Sequence, residues 1–256
     1  MAEALIAGVL RSGRSTAADI RVGEPNPARQ SWLSQEYGVA VVADNNEVVA
    51  QADTVILAVK PQVWRQAVAP LQGHFRPQQL FISIVTGVPL AQLAELLPVG
   101  TPVVRVVPNT PCLIGQGISV LSPGPGVEAV SLERARQIFA SVGETIVLAE
   151  ELLNAATGLS GSGPGYVFLF VEALIDAGVR QGLPRAAARQ MAAVTVAGAA
   201  GMVATSSRHP AELKDMVTSP GGTTMAGLEV LEKAGVRGAV MEAVAQAVKR
   251  AGELGE

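Results

Sequence analysis

The chain is poor in the side chains from which most catalytic machinery is built. Its 256 residues include one cysteine, Cys112, and two histidines, His74 and His209. A lone thiol closes no internal disulfide and is too little for a structural zinc site, so no metal is expected and a reducing, cytoplasmic setting is. Both histidines lie in polar, proline-flanked surroundings that suit a surface or capping role, and they assemble no triad. Aromatic residues make up only 4%, and the 19 basic and 22 acidic side chains give a formal charge of −3 with no basic run. A surface that tracks nucleic-acid phosphates therefore has no compositional support. A membrane span has none either. The uncharged stretch at 190–207 is rich in Ala and Gly and falls short of about 20 strongly apolar residues. It reads as a helix whose small side chains let another helix approach closely. The opening residues carry Glu3 and no basic n-region, so no secretory signal is expected.

What is present is apolar and punctuated: 49% hydrophobic residues, 27 glycines and 16 prolines. The length suits two modest domains, each with its own core. Up to residue 149 short β-branched runs at 19–22, 39–42, 54–59, 80–85, 103–107, 118–121 and 145–148 alternate with helical periods at 27–36, 46–51, 63–70, 91–97 and 132–142. Several runs are apolar throughout, which predicts parallel strands covered on both faces in a doubly wound α/β sheet. From residue 150 to 256 the β-type runs stop, and an all-α domain is predicted, with helices at 166–181 and 184–206 and Gly/Pro breaks near 158–165, 182–184, 207–210 and 219–222. Its aromatic content is too low for a freestanding core, so a homodimer made through these helices is expected.

A nucleotide-binding α/β domain of this kind begins strand, glycine-rich turn, helix, with the pyrophosphate over the helix N-terminus. This sequence begins inside that helix, at 2–10, with Gly13 ending it. The absent strand is the central one in the usual order, and its loss would leave two inner edges unpaired, so a native chain extending upstream of Met1 is the expectation.

Candidate site residues fall at strand ends. Glu24 follows the first run, where an acidic side chain can bond the hydroxyls of an adenosine ribose and would repel a 2′-phosphate; it is equally placed as a helix-entry carboxylate before Pro25, Asn26 and Pro27. Ala58, Val59, Lys60 and Pro61 stand at the C-terminal end of a strand, the edge where ligands bind in open α/β sheets, although a solvated lysine before a helix-starting proline has the same pattern. Ile84, Val85 and Thr86, and then Asn109 between Pro108 and Thr110-Pro111, repeat the geometry, so that three strand ends would face one crevice. Asn109 could present a rigid amide or simply form a turn. Further on, Ser219, Pro220, Gly221, Gly222, Thr223 and Thr224 lead into a helical period at 225–233. Two glycines let the free amides of a helix start close on a carboxylate, and two hydroxyls can donate beside them, which reads as an anion seat beyond ordinary capping. The segment 158–165, GLSGSGPG, lacks the Gly-Lys-Ser/Thr ending of a triphosphate loop and is read as a hinge loop with close packing.

Together these motifs resemble the pyrroline-5-carboxylate reductases over essentially the whole chain: AVKPQ at 58–62, RVVPNTP at 105–111, TGLSGSGPGYVF at 157–168, GLPRAAA at 182–188, HPAELKDMVTSPGGTTMAGLEVLE at 209–232 and GVRGAVMEAV at 235–244. The resemblance implies a Rossmann-type domain over 1–149, a helical substrate-binding and dimerisation domain over 150–256, and a site between them that reduces the cyclic imine 1-pyrroline-5-carboxylate to L-proline with NADPH or NADH. It further implies that amides near Gly222 and Thr223 hold the substrate carboxylate, that the Thr224 hydroxyl bonds the ring nitrogen, that Asn45, Ala58 to Pro61 and Ile84 to Thr86 line the nucleotide, and that Glu150 and Met216 sit near the junction. Dimers that ring up into decamers are implied as well. A 3-hydroxyacid or imine reductase of the same plan would place a lysine on the helix at 166–181, which here offers Glu172, Asp176 and Arg180 instead.

Overall fold

The computed structural model describes residues 1–76 and 78–254. In chain order the first half runs α1 (Ala2–Arg11), β1 (Arg21–Gly23), α2 (Pro27–Tyr37), β2 (Ala40–Val42), α3 (Asn45–Gln51), β3 (Thr54–Leu57), α4 (Trp64–Val68), β4 (Leu80–Ser83), α5 (Leu90–Glu95), β5 (Val103–Pro108), β6 (Gly117–Pro123), α6 (Ala129–Ala140) and β7 (Gly143–Val147). Each predicted strand is present. Local chemistry sets the boundaries: Asn26 caps α2 by accepting from the Ala28 and Arg29 amides, Pro27 opens it, and Gly38 closes it in the left-handed conformation at φ 66°.

The strands form two sheets, β1-β2 and β3-β4-β5-β6-β7. All pairs are parallel except β5 with β6, which is antiparallel and corrects the expectation of an all-parallel sheet. The link from Asn109 to Gln116 is too short for the crossover helix that a parallel neighbour needs. Apolar side chains leave the five-stranded sheet on both faces, as its non-alternating runs predict. Phe81 and Val103 pack with Val49, Trp64, Val68 and Leu93 from α3, α4 and α5. On the other face Leu80, Ile82, Val104 and Val106 meet Ala4 and Leu5 of α1 and Ala135 and Phe139 of α6. Phe81 and Phe139 are fully buried, each worth about 2–3 kcal/mol of transfer free energy. Ile6, on the same helix α1, packs with Leu33 and Val39 beside β1 and β2. Helix α1 therefore lies against both sheets.

The second half is helical: α7 (Leu153–Ala156), a π-turn at Thr157–Gly161, α8 (Gly163–Arg180), α9 (Arg185–Thr205), α10 (Pro210–Met216), α11 (Thr223–Lys233) and α12 (Val236–Glu253). Two compact units result, one of Met1–Ser162 plus the chain from Gln246 onward, the other of Gly163–Ala245. Residues 150–162, read from the sequence as part of the helical domain, pack with the sheet, because Leu153 and Ala156 cluster with Val107 and Val120. The predicted loop at 158–165 is helical too. The Ser162 amide reaches back to the Thr157 carbonyl, and the Thr157 and Ser160 hydroxyls bond the carbonyls four residues before them. In the second unit α8 and α9 approach closely at the start of α9, where a Cβ on Gly178 would lie 3.1 Å from that of Ala188. Within 190–207, the stretch expected to pack closely, added Cβ atoms on Gly198 and Gly201 would meet nothing within 4 Å. His209 caps α10, its Nδ1 accepting from the Ala211 amide.

Candidate active site

The C-terminal ends of β3, β4 and β5 border one cavity of about 320 Å³, lined by Met1, Ala58, Val59, Lys60, Pro61, Ile84, Thr86, Val106, Val107 and Pro108. Six residues singled out from the sequence meet here. Val85 does not: it is buried at 2% exposure in the core under α4 and α5, because period-two alternation turns it away from the face shared by Ile84 and Thr86. The sequence reading missed Met1, Val106 and Val107; the apolar run 103–107 ends at the same edge and was the signal for the last two.

Asn109 also stands off the cavity wall. Its Oδ1 accepts from the Ile118 amide at 2.9 Å, and its Nδ2 donates to the Ser160 carbonyl at 3.2 Å. The amide thus fastens the end of β5 to the start of β6 and to the π-turn, and acts as a brace. Arg105, one residue type that the sequence reading left unassigned, is buried at 5% exposure and pairs with Glu150 at 3.0 Å. Glu150 also accepts the Leu90 amide at the mouth of α5 at 2.7 Å. A larger hollow of about 550 Å³ lies beside this pair, lined by Leu90, residues 122–125 and residues 147–150. It holds none of the predicted cofactor residues.

A second group gathers at the end of β1. Glu24 continues the ladder through its amide to Val42, and its Oε1 accepts from the Asn26 amide at 2.9 Å. Asn45, the first residue of α3, lies over Gly23, where a Cβ would overlap its Oδ1. Glu3 and Arg29 join this group to the cavity. Their ion pair couples the first turn of α1 to the first turn of α2, and Tyr37 adds a hydrogen bond to Glu3 at 3.2 Å. The Arg29 guanidinium bonded to Glu3 holds that carboxyl below its ordinary range.

These residues fit a nicotinamide dinucleotide. The cavity wall is apolar or neutral apart from the Lys60 ammonium, and Met1 gives α1 no side-chain cap, so the first amides of α1 remain available to an anion. The Glu3 charge at that helix mouth is balanced by Arg29.

In the second unit, α11 opens at Gly222 without a side-chain cap. Gly221 takes φ +67°, which favours glycine, and a Cβ on Gly222 would crowd the Ser219 hydroxyl and lie 3.1 Å from the Ser219 carbonyl, so the approach to α11 is tight. The Gly222 amide is committed to the Ser219 carbonyl at 3.0 Å. The donors that α11 leaves open are therefore the Thr223, Thr224 and Met225 amides and the two threonine hydroxyls; of the two amides named from the resemblance, Thr223 is open and Gly222 is not. Thr224 is half-buried and Thr223 exposed.

Comparison with known proteins matches residues 150–254 to the family described as pyrroline-5-carboxylate reductase dimerisation, and residues 1–87 to that described as NADP oxidoreductase, coenzyme F420-dependent. The pyrroline-5-carboxylate reductase of Synechocystis is 44% identical over 100% of this chain and 95% of its own, and that of Methanosarcina acetivorans is 41% identical over the same shares. The solved pyrroline-5-carboxylate reductase of Coxiella burnetii superposes with a TM-score of 0.93 at 32% identity, covering 100% of this chain and 95% of that one. The Plasmodium falciparum enzyme, solved with NADP bound, gives 0.89 at 31% identity over 99% and 94%.

Proposed function

The chain belongs to the pyrroline-5-carboxylate reductase family, and from that membership we propose how its residues carry out the NAD(P)H-dependent reduction of 1-pyrroline-5-carboxylate to L-proline. The first unit holds the nucleotide: the α1 amides and Lys60 meet its phosphates and ribose, and Ala58, Val59, Ile84, Val106 and Val107 keep water from the ring. Reduced nicotinamide, when bound, supplies a hydride to the imine carbon while the ring nitrogen ends with a proton, and no group leaves. The second unit holds the substrate. The Thr223 and Thr224 amides at the α11 mouth grip its carboxylate, with the helix dipole favouring the anion. The Thr224 hydroxyl bonds the ring nitrogen and steadies it as it becomes an amine. A protonated imine is already electrophilic, so fixing it in place supplies most of the rate.

The observation that carries this reading is the α11 mouth, with a tight Gly-Gly approach, uncapped amides and two hydroxyls in consecutive positions. Thr224→Ala tests it. Turnover should fall by roughly 10²-fold, as happens when one well-placed donor is lost, with KM for the substrate changed far less. Unchanged turnover would remove Thr224 from the mechanism.

The same reading makes the enzyme a homodimer through its second unit, with decamers as the higher assembly that the family resemblance implies, and places it in the cytoplasm. The uncovered apolar side chains of α8, among them Phe168 and Leu169 at 65% and 69% exposure, support the dimer. So does the match of residues 150–254 to a dimerisation family. By length and composition 150–180 could also cross a membrane, but a partner copy accounts for the same apolar face.

A further inference from the structure

We infer that this enzyme is built to take NADH in preference to NADPH, and that Glu24 and Asn26 enforce the choice at the adenosine ribose. The inference rests on the reading of the first unit as a dinucleotide seat. Its position follows from the sheet edge. Met1, at the mouth of α1, borders the cavity, and the first turn of α1 is tied to the first turn of α2 through Glu3 and Arg29. Glu24 and Asn26 stand at that first turn of α2, roughly one helix diameter, about 8–10 Å, from the mouth of α1. With the diphosphate over α1 and the nicotinamide in the cavity, the other ribose of the dinucleotide reaches Glu24.

A 2′-phosphate needs donors or cations here, and the backbone amides from Glu24 to Arg29 are already committed. The Glu24 amide bonds Val42, the Asn26 amide bonds Glu24 Oε1, and the Ala28 and Arg29 amides bond Asn26 Oδ1. Pro25 and Pro27 have no N–H to give. The start of a helix is normally an anion site, and in this one the chain's own carboxylate and carboxamide take the place of the anion. The nearby cation, Arg29, is paired with Glu3 and stacked on Trp32 at 4.2 Å from the ring centroid. A second carboxylate, Asp44, caps α3 at the end of β2 and adds to the negative field. Ribose hydroxyls ask for the opposite. Glu24, oriented by the Asn26 amide on one oxygen, offers the other to accept from them.

The test is a pair of titrations on the full chain, isothermal calorimetry with NADH and NADPH, repeated with AMP and adenosine 2′,5′-bisphosphate to isolate the ribose end. NADH should bind at least roughly tenfold tighter than NADPH, and AMP tighter than the bisphosphate, since juxtaposed like charges cost affinity. Glu24→Gln keeps an acceptor for the Asn26 amide and replaces the charged second oxygen with a neutral NH2 group, so it should narrow the gap to a few-fold; Glu24→Ser should tighten NADPH by roughly tenfold. Equal or tighter NADPH binding by the unaltered chain would overturn the preference, and a preference that survives Glu24→Gln would overturn the assignment to Glu24. If neither dinucleotide binds, the seat itself fails and the preference falls with it.

Discussion

The two units of this chain solve the problem of burial in different ways. The sheet unit hides Phe81, Phe139, Leu80, Ile82, Leu93, Leu121 and Leu153 completely, whereas Gly163–Ala245 buries only Ala188 and Ala192. The second unit has apolar side chains in plenty; Phe168, Leu169, Met191, Val194, Val230 and Met241 are all exposed. Helices in globular proteins draw most of their stability from packing an apolar face, and α8 to α11 have little of that within one chain. One unit therefore carries its own core, and the other leaves an apolar face that the proposed dimer would cover with a second copy.

Charging the uncovered face breaks this comparison most severely. In the proposed dimer, Phe168→Glu with Leu169→Glu would place four carboxylates, two from each chain, where each apolar side chain would contribute about 2 kcal/mol. The expected outcome is a monomer in sedimentation with much of the helical circular dichroism lost, since the second unit has no core to fall back on. A dimer of unchanged helicity would show that α8 is covered by something other than its own copy.

The sheet unit has a weak point of a different kind, the buried pair of Arg105 and Glu150. Glu150→Ala leaves a guanidinium at 5% exposure without its carboxylate and the Leu90 amide without an acceptor, a loss of about 3 kcal/mol in urea unfolding. Arg105→Met removes the charge instead and fills the space, so about 1 kcal/mol is expected, because Glu150 at 32% side-chain exposure can turn to water. Equal losses from the two variants would mean that packing, and not the stranded charge, sets the stability there.

The same contrast decides what could be read from the sequence. Strands of the sheet unit announce themselves through β-branched runs between turn residues, and each of the seven emerged within a few positions. Strand direction is not written in such runs; the short link from Asn109 to Gln116 was the sign that β6 runs antiparallel. Alternation likewise already separates Val85 from Ile84 and Thr86. The π-turn was hidden because glycines and prolines at 158–165 look like a break, while the Thr157 and Ser160 hydroxyl bonds that hold it depend on the helix already being there. At the site, Ser219 to Thr224 was legible as a donor-rich helix start, but the commitment of the Gly222 amide to Ser219 was not. Glu24 had two readings in the sequence. The folded chain shows the helix-entry role, with Oε1 accepting the Asn26 amide, while the ribose role belongs to the proposal above.

Smallest of all is the effect of the polar clasp between α1 and α2, because the sheet unit depends on its apolar core. Arg29, bonded to Glu3, lowers the Glu3 carboxyl from its ordinary 4.5, whereas burial and then the neighbouring Glu3 raise the Tyr37 phenol from 10.0. A lowered carboxyl contributes stability that is present above the unfolded value and lost as pH falls through the folded one. A raised phenol contributes below its unfolded value and loses that as pH rises through the folded one. Glu3→Gln should therefore cost about 0.5 kcal/mol at neutral pH, the scale of a partly exposed pair. The gap from the parent chain should close as urea unfolding is repeated at pH values descending below 4.5. A gap that stays constant into acid would mean that the clasp acts by packing and hydrogen bonding, with no share from the charge on Glu3.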